Sequence, residues 1–324
     1  HIGICEFWNK SVRLFDETEI KGGVAISIRD KKVDKGPIGL FTPYPQLNAI
    51  VRSVCKNKTF KSMSDIVVSR TAYRFTDLMH KDHPEAIGQL SEGHPYDVST
   101  NIFERLPQVF FDEKPDDGND YIRILGRMDN TRTMKFVRRD YIREVENLDG
   151  YKVFMASANS NGVFGEILTP PIVAEPCVGN TETFISIGNF SSLYEADAAR
   201  KYIITKFVRA LLGVLKTTHH LTPETWKFVP QQDFSEASDI DWSRSVEEID
   251  AFLYKKYKLT DAEICFIDEK VQADLQKREA EIAAMRERSF IQIGGLTGFV
   301  VLLLVISYII IHRNITRIKR YKRE

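Results

Sequence analysis

The sequence predicts an α+β protein followed by one transmembrane helix. Short β-type runs fill the first 190 residues, capped amphipathic helices follow them, and residues 293–311 are almost wholly apolar. The 324 residues are enough for two domains and a large core. Lys plus Arg and Asp plus Glu balance at 45 each, so any affinity for nucleic acid has to come from a local patch.

Strand patterns dominate from residue 12 to residue 190. The runs VRLF (12–15) and GGVAISI (22–28) predict a hairpin, with a helix after it, at the edge of an α/β sheet. Further strands are predicted at 121–126, 135–142, 151–157 and 183–190. Turn-type residues in DDGND and VGNTE punctuate these strands, which predicts a mixed region and not a helical bundle.

From residue 191 the pattern becomes helical. Three capping-box spacings predict helix starts: Ser192 with Glu195, Ser245 with Glu248, and Thr260 with Glu263. Behind the first box, apolar residues recur every three or four positions from Ala199 to Val214. This periodicity predicts one helix with a single apolar face.

Residues 293–311 carry the transmembrane prediction. Nineteen uncharged positions in helical conformation span roughly 28 Å, the thickness of the hydrocarbon core of a bilayer. Six Lys or Arg follow in residues 312–324, and the positive-inside rule places such a tail in the cytoplasm. The alternative is a fully buried core helix, which rarely has this length without a polar position.

A basic cluster at residues 121–143 is the best local binding signal. It holds seven cations and two anions, a local net charge of +5. Alternate positions on paired strands share a face, so Arg123 and Lys135, with one of Arg138 and Arg139, are expected to form a basic surface. Such a surface suits phosphates, and Arg also suits guanine edges. The alternative is a solvated strand face neutralised by the acidic run DEKPDDGND.

A second candidate is the loop SANSNGVFGE at 157–166, whose hydroxyls and amides suit base or sugar contacts and ordinary turns equally well. The predicted DNA-binding residues are therefore Arg123, Arg127, Arg132, Lys135, Arg138, Arg139, Ser157, Asn159, Ser160 and Asn161. No catalytic, cofactor-binding or metal-binding residue is predicted, because the phosphate-loop, nucleophile-elbow and zinc-protease motifs do not occur. The four widely spaced cysteines predict thiols in a reducing compartment.

Two segments resemble a known family. EIKGGVAISIRD (19–30) resembles the hairpin that closes the catalytic domain of adenine-specific DNA methyltransferases of type II restriction–modification systems. Residues 199–271, with VPQQDF, SDIDWS and LYKKYKLTDAEICFI in order, resemble the C-terminal end of the same family. The likeness covers residues 10–272, and its second segment is the more specific. It implies a target-recognition module for double-stranded DNA, with the rim of a methyltransferase domain.

The resemblance also implies that the catalytic half is missing from this chain. In the family, a domain that binds S-adenosylmethionine precedes this region and carries an Asn/Asp-Pro-Pro-Tyr/Phe motif that holds a flipped adenine. TPYP (42–45) and TPPI (169–172) lack the required Asn or Asp. The expectation is no cofactor in this chain, no methyl transfer by it, and a separate catalytic domain as its partner in the complete enzyme.

The predicted organisation combines these observations. The expected divisions are 1–60 (rim of a methyltransferase-like α/β domain), 61–190 (target-recognition α+β region), 191–272 (helical C-terminal region), 273–292 (charged helical linker), 293–311 (transmembrane helix) and 312–324 (basic cytoplasmic tail). No internal repeat or low-complexity tract interrupts this order.

The membrane end departs from the methyltransferase resemblance. Residues 280–324 resemble the membrane anchor of a bacterial sensor histidine kinase, and the positive-inside rule then places residues 1–290 outside the cell, where no DNA is read. A composite reading frame, a tethered fusion of reversed topology and a periplasmic sensor are the alternatives, and the first is favoured because each part matches its own family. The expected function is DNA recognition in the cytoplasm, with single-pass membrane association if the last helix belongs to the protein. The alternative function is the ligand-sensing and anchoring part of a sensor kinase.

The apolar run predicts different behaviour for the full chain and for residues 1–275. We expect the full chain to require detergent, because residues 293–311 would otherwise expose an uninterrupted apolar surface to water. Residues 1–275 should remain monodisperse without detergent. Size-exclusion chromatography of both forms checks this, and a detergent-free monomer of the full chain would contradict the transmembrane prediction.

Overall fold

The computed structural model describes residues 2–8 and 24–29 as backbone, and residues 40–56, 59–158, 164–166, 168–216 and 220–271 with their side chains. The chain divides into two compact units, 1–272 and 273–324, and every described residue lies in the first. No helix among the described residues has the length and apolar character needed to cross a membrane. The predicted transmembrane segment, residues 293–311, lies outside them. The described part is a mixed α+β structure, as predicted.

The described strands form three sheets. They are β1 (Ile2–Trp8), β2 (Val24–Arg29), β3 (Val67–Val68), β4 (Tyr121–Met128), β5 (Thr131–Arg138), β6 (Tyr151–Ala156), β7 (Ile172–Ala174), β8 (Val178–Asn180) and β9 (Phe184–Phe190). β1 and β2 pair antiparallel, and β3, β9, β6 and β7 form an antiparallel sheet in that order. In the third sheet β4 pairs antiparallel with β5 and parallel with β8.

The four strands predicted between residues 121 and 190 are confirmed as β4, β5, β6 and β9. One boundary differs, because Arg139–Tyr141 forms a 3-10 turn where the sequence predicted more strand. The predicted run GGVAISI corresponds to β2, whose partner is β1. The run VRLF lies outside the described residues.

The helices follow their capping signals. They are α1 (Pro45–Cys55), α2 (Asp77–Asp82), α3 (Ala86–Gln89), α4 (Ile102–Arg105), α5 (Leu193–Ile203), α6 (Lys206–Leu212) and α7 (Val246–Lys256), and residues 261–271 are also helical. Ser245 and Glu248 form the predicted reciprocal capping box of α7. At the start of α5, Ser192 accepts the Glu195 N–H as predicted, whereas the Glu195 carboxylate accepts the N–H of Ser191.

The single helix predicted from Ala199 to Val214 is wrong, because α5 ends and α6 begins within it. The Thr205 hydroxyl accepts the Val208 N–H at 3.2 Å and starts a new helix. The Asp250 carboxylate accepts the N–H groups of Lys206 and Phe207, both at 2.9 Å, so the interrupted backbone remains bonded. The apolar periodicity still predicted burial correctly, since the residues that define it are all in the core.

The helices and the four-stranded sheet enclose the largest core. Trp226, Trp242 and Tyr202 are among its fully buried side chains. The segments VPQQDF and SDIDWS, which carry the family resemblance, lie in this region: the Trp242 indole donates to the Asp233 carbonyl and the Tyr202 hydroxyl to the Pro230 carbonyl. These contacts give both segments a structural role.

A second core lies under the β4–β5 hairpin. It contains Tyr73, Phe75, Ile102 and Phe103 from the chain before β4, together with apolar side chains of the hairpin itself. The Tyr73 hydroxyl donates to Asn147, whose amide donates to Ser186 and Gly188 of β9. This buried chain of hydrogen bonds connects the second core to the four-stranded sheet.

Lys152 of β6 joins the two larger sheets. Its side chain is fully buried, and its ammonium donates to the carbonyls of Leu148 (3.0 Å), Glu175 (3.2 Å) and Val178 (3.1 Å). Val178 belongs to β8 of the three-stranded sheet. Burial lowers the pKa of Lys152 from its ordinary value of 10.5 to about 8, because the charged form loses its hydration.

We predict that Lys152 makes the stability of the protein depend on alkaline pH. Its pKa is lower in the folded chain than in the unfolded chain, so between pH 8 and 10.5 the unfolded chain binds more protons and stability rises with pH. The unfolding free energy of the wild type minus that of Lys152→Met should rise across this window by up to about 3 kcal/mol, whatever the sign of this gap at neutral pH. Urea unfolding at several pH values measures the gap, and a constant gap would contradict the assignment.

Candidate functional site

The β4–β5 hairpin brings most of the predicted basic residues together. Its strands pair from Tyr121 with Arg138 to Met128 with Thr131, so that only Asp129 and Asn130 form the turn. Both turn residues have positive φ, 49° and 60°, which is the geometry of a two-residue type I′ turn. The Thr131 hydroxyl donates to the Met128 carbonyl at 2.8 Å and closes the turn.

The register places four arginines on one face of the hairpin. Arg127 lies directly opposite Arg132, and Arg123 lies opposite Phe136. Arg138 follows Phe136 by two positions, so its side chain lies on the same face as these three arginines. The expectation that Lys135 shares this face is wrong: it pairs with Ile124 and belongs to the opposite face. The reason is the two-residue turn, which puts even-numbered residues of β5 on the face of odd-numbered residues of β4.

Lys135 is occupied by a structural contact. It is 8 % exposed and shares its face with Ile122, Ile124 and Val137 of the second core. Its ammonium donates to Asp112 at 2.7 Å. Asp112 belongs to the acidic run DEKPDDGND, which the sequence suggested as a neutralising partner of the basic cluster. For Lys135, neutralisation by this run is what the structure shows.

The base of the hairpin is internally neutralised. Arg123 forms an ion pair with Glu175 at 2.9 Å, and Arg138 donates to both oxygens of Asp140. Arg139, in the turn after β5, donates to the two oxygens of Asp149 at 2.9 and 2.5 Å. Glu175 and Asp149 are distant in sequence, and no local pattern identified them as partners.

The ion pair between Arg139 and Asp149 shifts the pKa of both groups. Hydrogen bonds from the guanidinium lower the pKa of the Asp149 carboxyl, and the same bonds raise the pKa of Arg139. Because the Asp149 pKa is lower in the folded chain, its contribution to stability is present at neutral pH and is lost as the pH falls through its folded pKa. Because its guanidinium is bonded to Asp149 within the turn after β5, Arg139 is less available for a ligand.

The tip of the hairpin differs from its base. Gly126 is closely packed, since a Cβ there would lie 2.5 Å from the Phe103 ring, and Met128 still packs partly against the second core. Between Gly126 and the turn, Arg127 and Arg132 are exposed. On the same face, at the next pair towards the base, Met134 is 40 % exposed. Arg132 donates to the Pro170 carbonyl at 3.0 Å. The side chain of Arg127 makes neither a hydrogen bond nor an ion pair with any residue that the structure describes.

The loop at 157–166 is described only in part. Ser157 is buried, and its hydroxyl donates to the Glu182 carbonyl at 2.9 Å, so its side chain is used within the fold. Asn159, Ser160 and Asn161 lie outside the described residues, and their assignment stays a prediction. In the part of the chain that the structure describes, no group of three or more His, Cys, Asp or Glu is placed to hold a metal ion.

Comparison with known proteins adds no relative to this picture. No protein-family model matches the sequence, and no curated protein matches it significantly. The resemblance to adenine-specific DNA methyltransferases therefore rests on the segments quoted above.

The geometry of Lys135 predicts that its charge is dispensable for the fold. In Lys135→Met the thioether side chain keeps most of the apolar packing, and Asp112, whose side chain is 80 % exposed, returns to water. We expect the unfolding free energy to change by less than about 1 kcal/mol. Chemical denaturation measures this change, and a loss of several kcal/mol would show that the ion pair is required.

Proposed function

We propose that this chain recognises duplex DNA through the tip of the β4–β5 hairpin, as the target-recognition part of an adenine-specific DNA methyltransferase. The observation that carries the proposal is the pair Arg127 and Arg132. They are direct cross-strand neighbours, both exposed, and neither forms an ion pair with a described carboxylate. Like charges in this position repel each other and destabilise the hairpin. A phosphate bound between them would remove that repulsion.

The shape of the hairpin fits the same partner. A two-stranded β-ribbon fits into the major groove of B-form DNA, and proteins that read DNA with such ribbons are known. Arg can bind a phosphate or donate two hydrogen bonds to O6 and N7 of guanine. The tip presents two such side chains, both exposed and on the face of the hairpin opposite the second core.

The other predicted cations rank below the tip. The ion pair between Arg123 and Glu175 is on the surface, and such pairs contribute about 0–1 kcal/mol, so Arg123 can exchange Glu175 for a phosphate at little cost. Arg138 and Arg139 hold the turn after β5, and Lys135 faces the second core. We therefore propose Arg127 and Arg132 as primary contacts and Arg123 as an auxiliary one.

The proposed role is recognition without catalysis. The sequence lacks the Asn/Asp-Pro-Pro-Tyr/Phe motif of the family, so a separate domain would supply S-adenosylmethionine binding and methyl transfer. This role places the DNA-recognition part in the cytoplasm. The proposal concerns residues 40–271 and is independent of the membrane prediction for residues 293–311.

We predict that Arg127→Gln with Arg132→Gln weakens DNA binding and flattens its salt dependence. Each lost phosphate contact lowers the slope of log K against log salt by about 0.9, so two contacts lower it by nearly 2. Fluorescence anisotropy of the full chain with a labelled duplex, between low and moderate salt, measures both quantities. Loss that is uniform across duplex sequences indicates phosphate contacts, whereas a loss of ~1–3 kcal/mol confined to one base pair indicates a guanine contact.

Two controls separate the tip from bulk charge. Arg52→Gln with Lys56→Gln removes two exposed cations, one in α1 and one directly after it. Lys135→Met removes a largely buried cation from the opposite face of the hairpin. Both should bind DNA like the wild type. If the tip variant and the Arg52/Lys56 variant lose the same DNA affinity, the effect is one of net charge alone. Wild-type affinity in the tip variant would refute the proposed contact.

A further inference from the structure

Two buried cations hold one short segment of the connection between β6 and β7. Arg209 and Lys216 are 7 % and 6 % exposed, and both contact residues 164–166. The Arg209 guanidinium donates to the Glu166 carbonyl at 2.9 Å and to the Gly165 carbonyl, and the Lys216 ammonium pairs with the Glu166 carboxylate. Burial of cations is costly unless they are paired and hydrogen-bonded, and here the bonds go to this segment.

Packing holds the same segment as closely as the charges do. Phe164 packs against the rings of Tyr44 and Phe266, with centroid distances of 5.2 and 5.8 Å, and these two rings also contact each other at 5.4 Å. A Cβ at Gly213 would lie 2.4 Å from the Phe164 ring, so only glycine leaves room there. Gly165 has φ of +72°, a left-handed conformation that suits glycine. Residues 164–166 are thus fixed to the helical part of the structure.

The same connection reaches the hairpin tip a few residues later. Leu168 is buried in the largest core, and the Pro170 carbonyl accepts the hydrogen bond from Arg132. Directly after β7, Glu175 forms the ion pair with Arg123. The chain between residues 164 and 175 therefore connects two buried cations of the helical part to two arginines of the hairpin.

We infer that Arg209 is a positioning residue for DNA recognition and acts through Arg132. The two hydrogen bonds that it donates to residues 165 and 166 fix the backbone there, and this in turn fixes the Pro170 carbonyl that orients the Arg132 guanidinium. An oriented guanidinium loses less side-chain entropy when it binds DNA than one that moves through many rotamers. The inference rests on the proposed function of the hairpin tip and adds a residue outside it.

A double-mutant cycle tests this coupling. DNA affinity of the full chain is measured for the wild type, Arg209→Met, Arg132→Met and the double variant. If Arg209 acts through Arg132, Arg209→Met weakens binding by about fivefold in the wild-type background, within the usual range for coupled residues, and causes no further loss in the Arg132→Met background. Arg209→Lys, which keeps one charged donor, should recover part of the affinity.

Controls distinguish positioning from general destabilisation. Arg200→Met removes an arginine of α5 that pairs with Asp197, and it should leave DNA affinity unchanged. Circular dichroism melting identifies variants that are unfolded at the assay temperature. If Arg209→Met is unfolded, the double-mutant cycle is run with Arg209→Lys in its place.

The outcomes separate the two proposals. Equal losses from the Arg209 variant in both backgrounds, or no loss in the wild-type background, would overturn the positioning role and leave the hairpin tip as the DNA contact. Wild-type affinity in Arg132→Met would overturn the positioning role together with the contact at Arg132.

Discussion

The ammonium of Lys152 is the contact on which the arrangement of the sheets depends. It is buried in β6 and bonded to three backbone carbonyls, one of them in β8 of the neighbouring sheet. β8 pairs with β4, so this contact ties the β4–β5 hairpin to the four-stranded sheet, together with the Tyr73–Asn147 hydrogen bonds under the hairpin. A charge without hydration is tolerated here because each acceptor is a fixed carbonyl.

The hairpin combines a neutralised base with a charged tip. At the base, Arg123 pairs with Glu175, Arg138 with the neighbouring Asp140 and Arg139 with Asp149, and the opposite face lies on the second core. At the tip, two adjacent arginines are exposed and have no carboxylate partner among the described residues. A protein that used this cluster only for solubility would gain nothing from placing two unpaired cations directly opposite each other. The contrast within one hairpin is the main support for a role in binding an anion.

The sequence predicted local features well and long-range ones poorly. Strands β4, β5, β6 and β9 and the α7 capping box follow from propensity and short spacings. The predicted face of Lys135 is wrong because the pairing of faces across a hairpin depends on the length of its turn, here the two residues Asp129 and Asn130. The break at Thr205 was missed because Asp250, 45 residues later in the sequence, completes the cap. Arg209 and Lys216 carried no pattern that linked them to residues 164–166.

Hydrogen–deuterium exchange of the full chain, with and without a DNA duplex, tests the central claim most directly. The account predicts slower amide exchange at residues 126–133 in the presence of DNA, because the tip would lie in the groove, and little change in α1 or α7. Protection confined to other parts of the chain, or no protection at a DNA concentration that saturates binding, would contradict recognition through the hairpin tip.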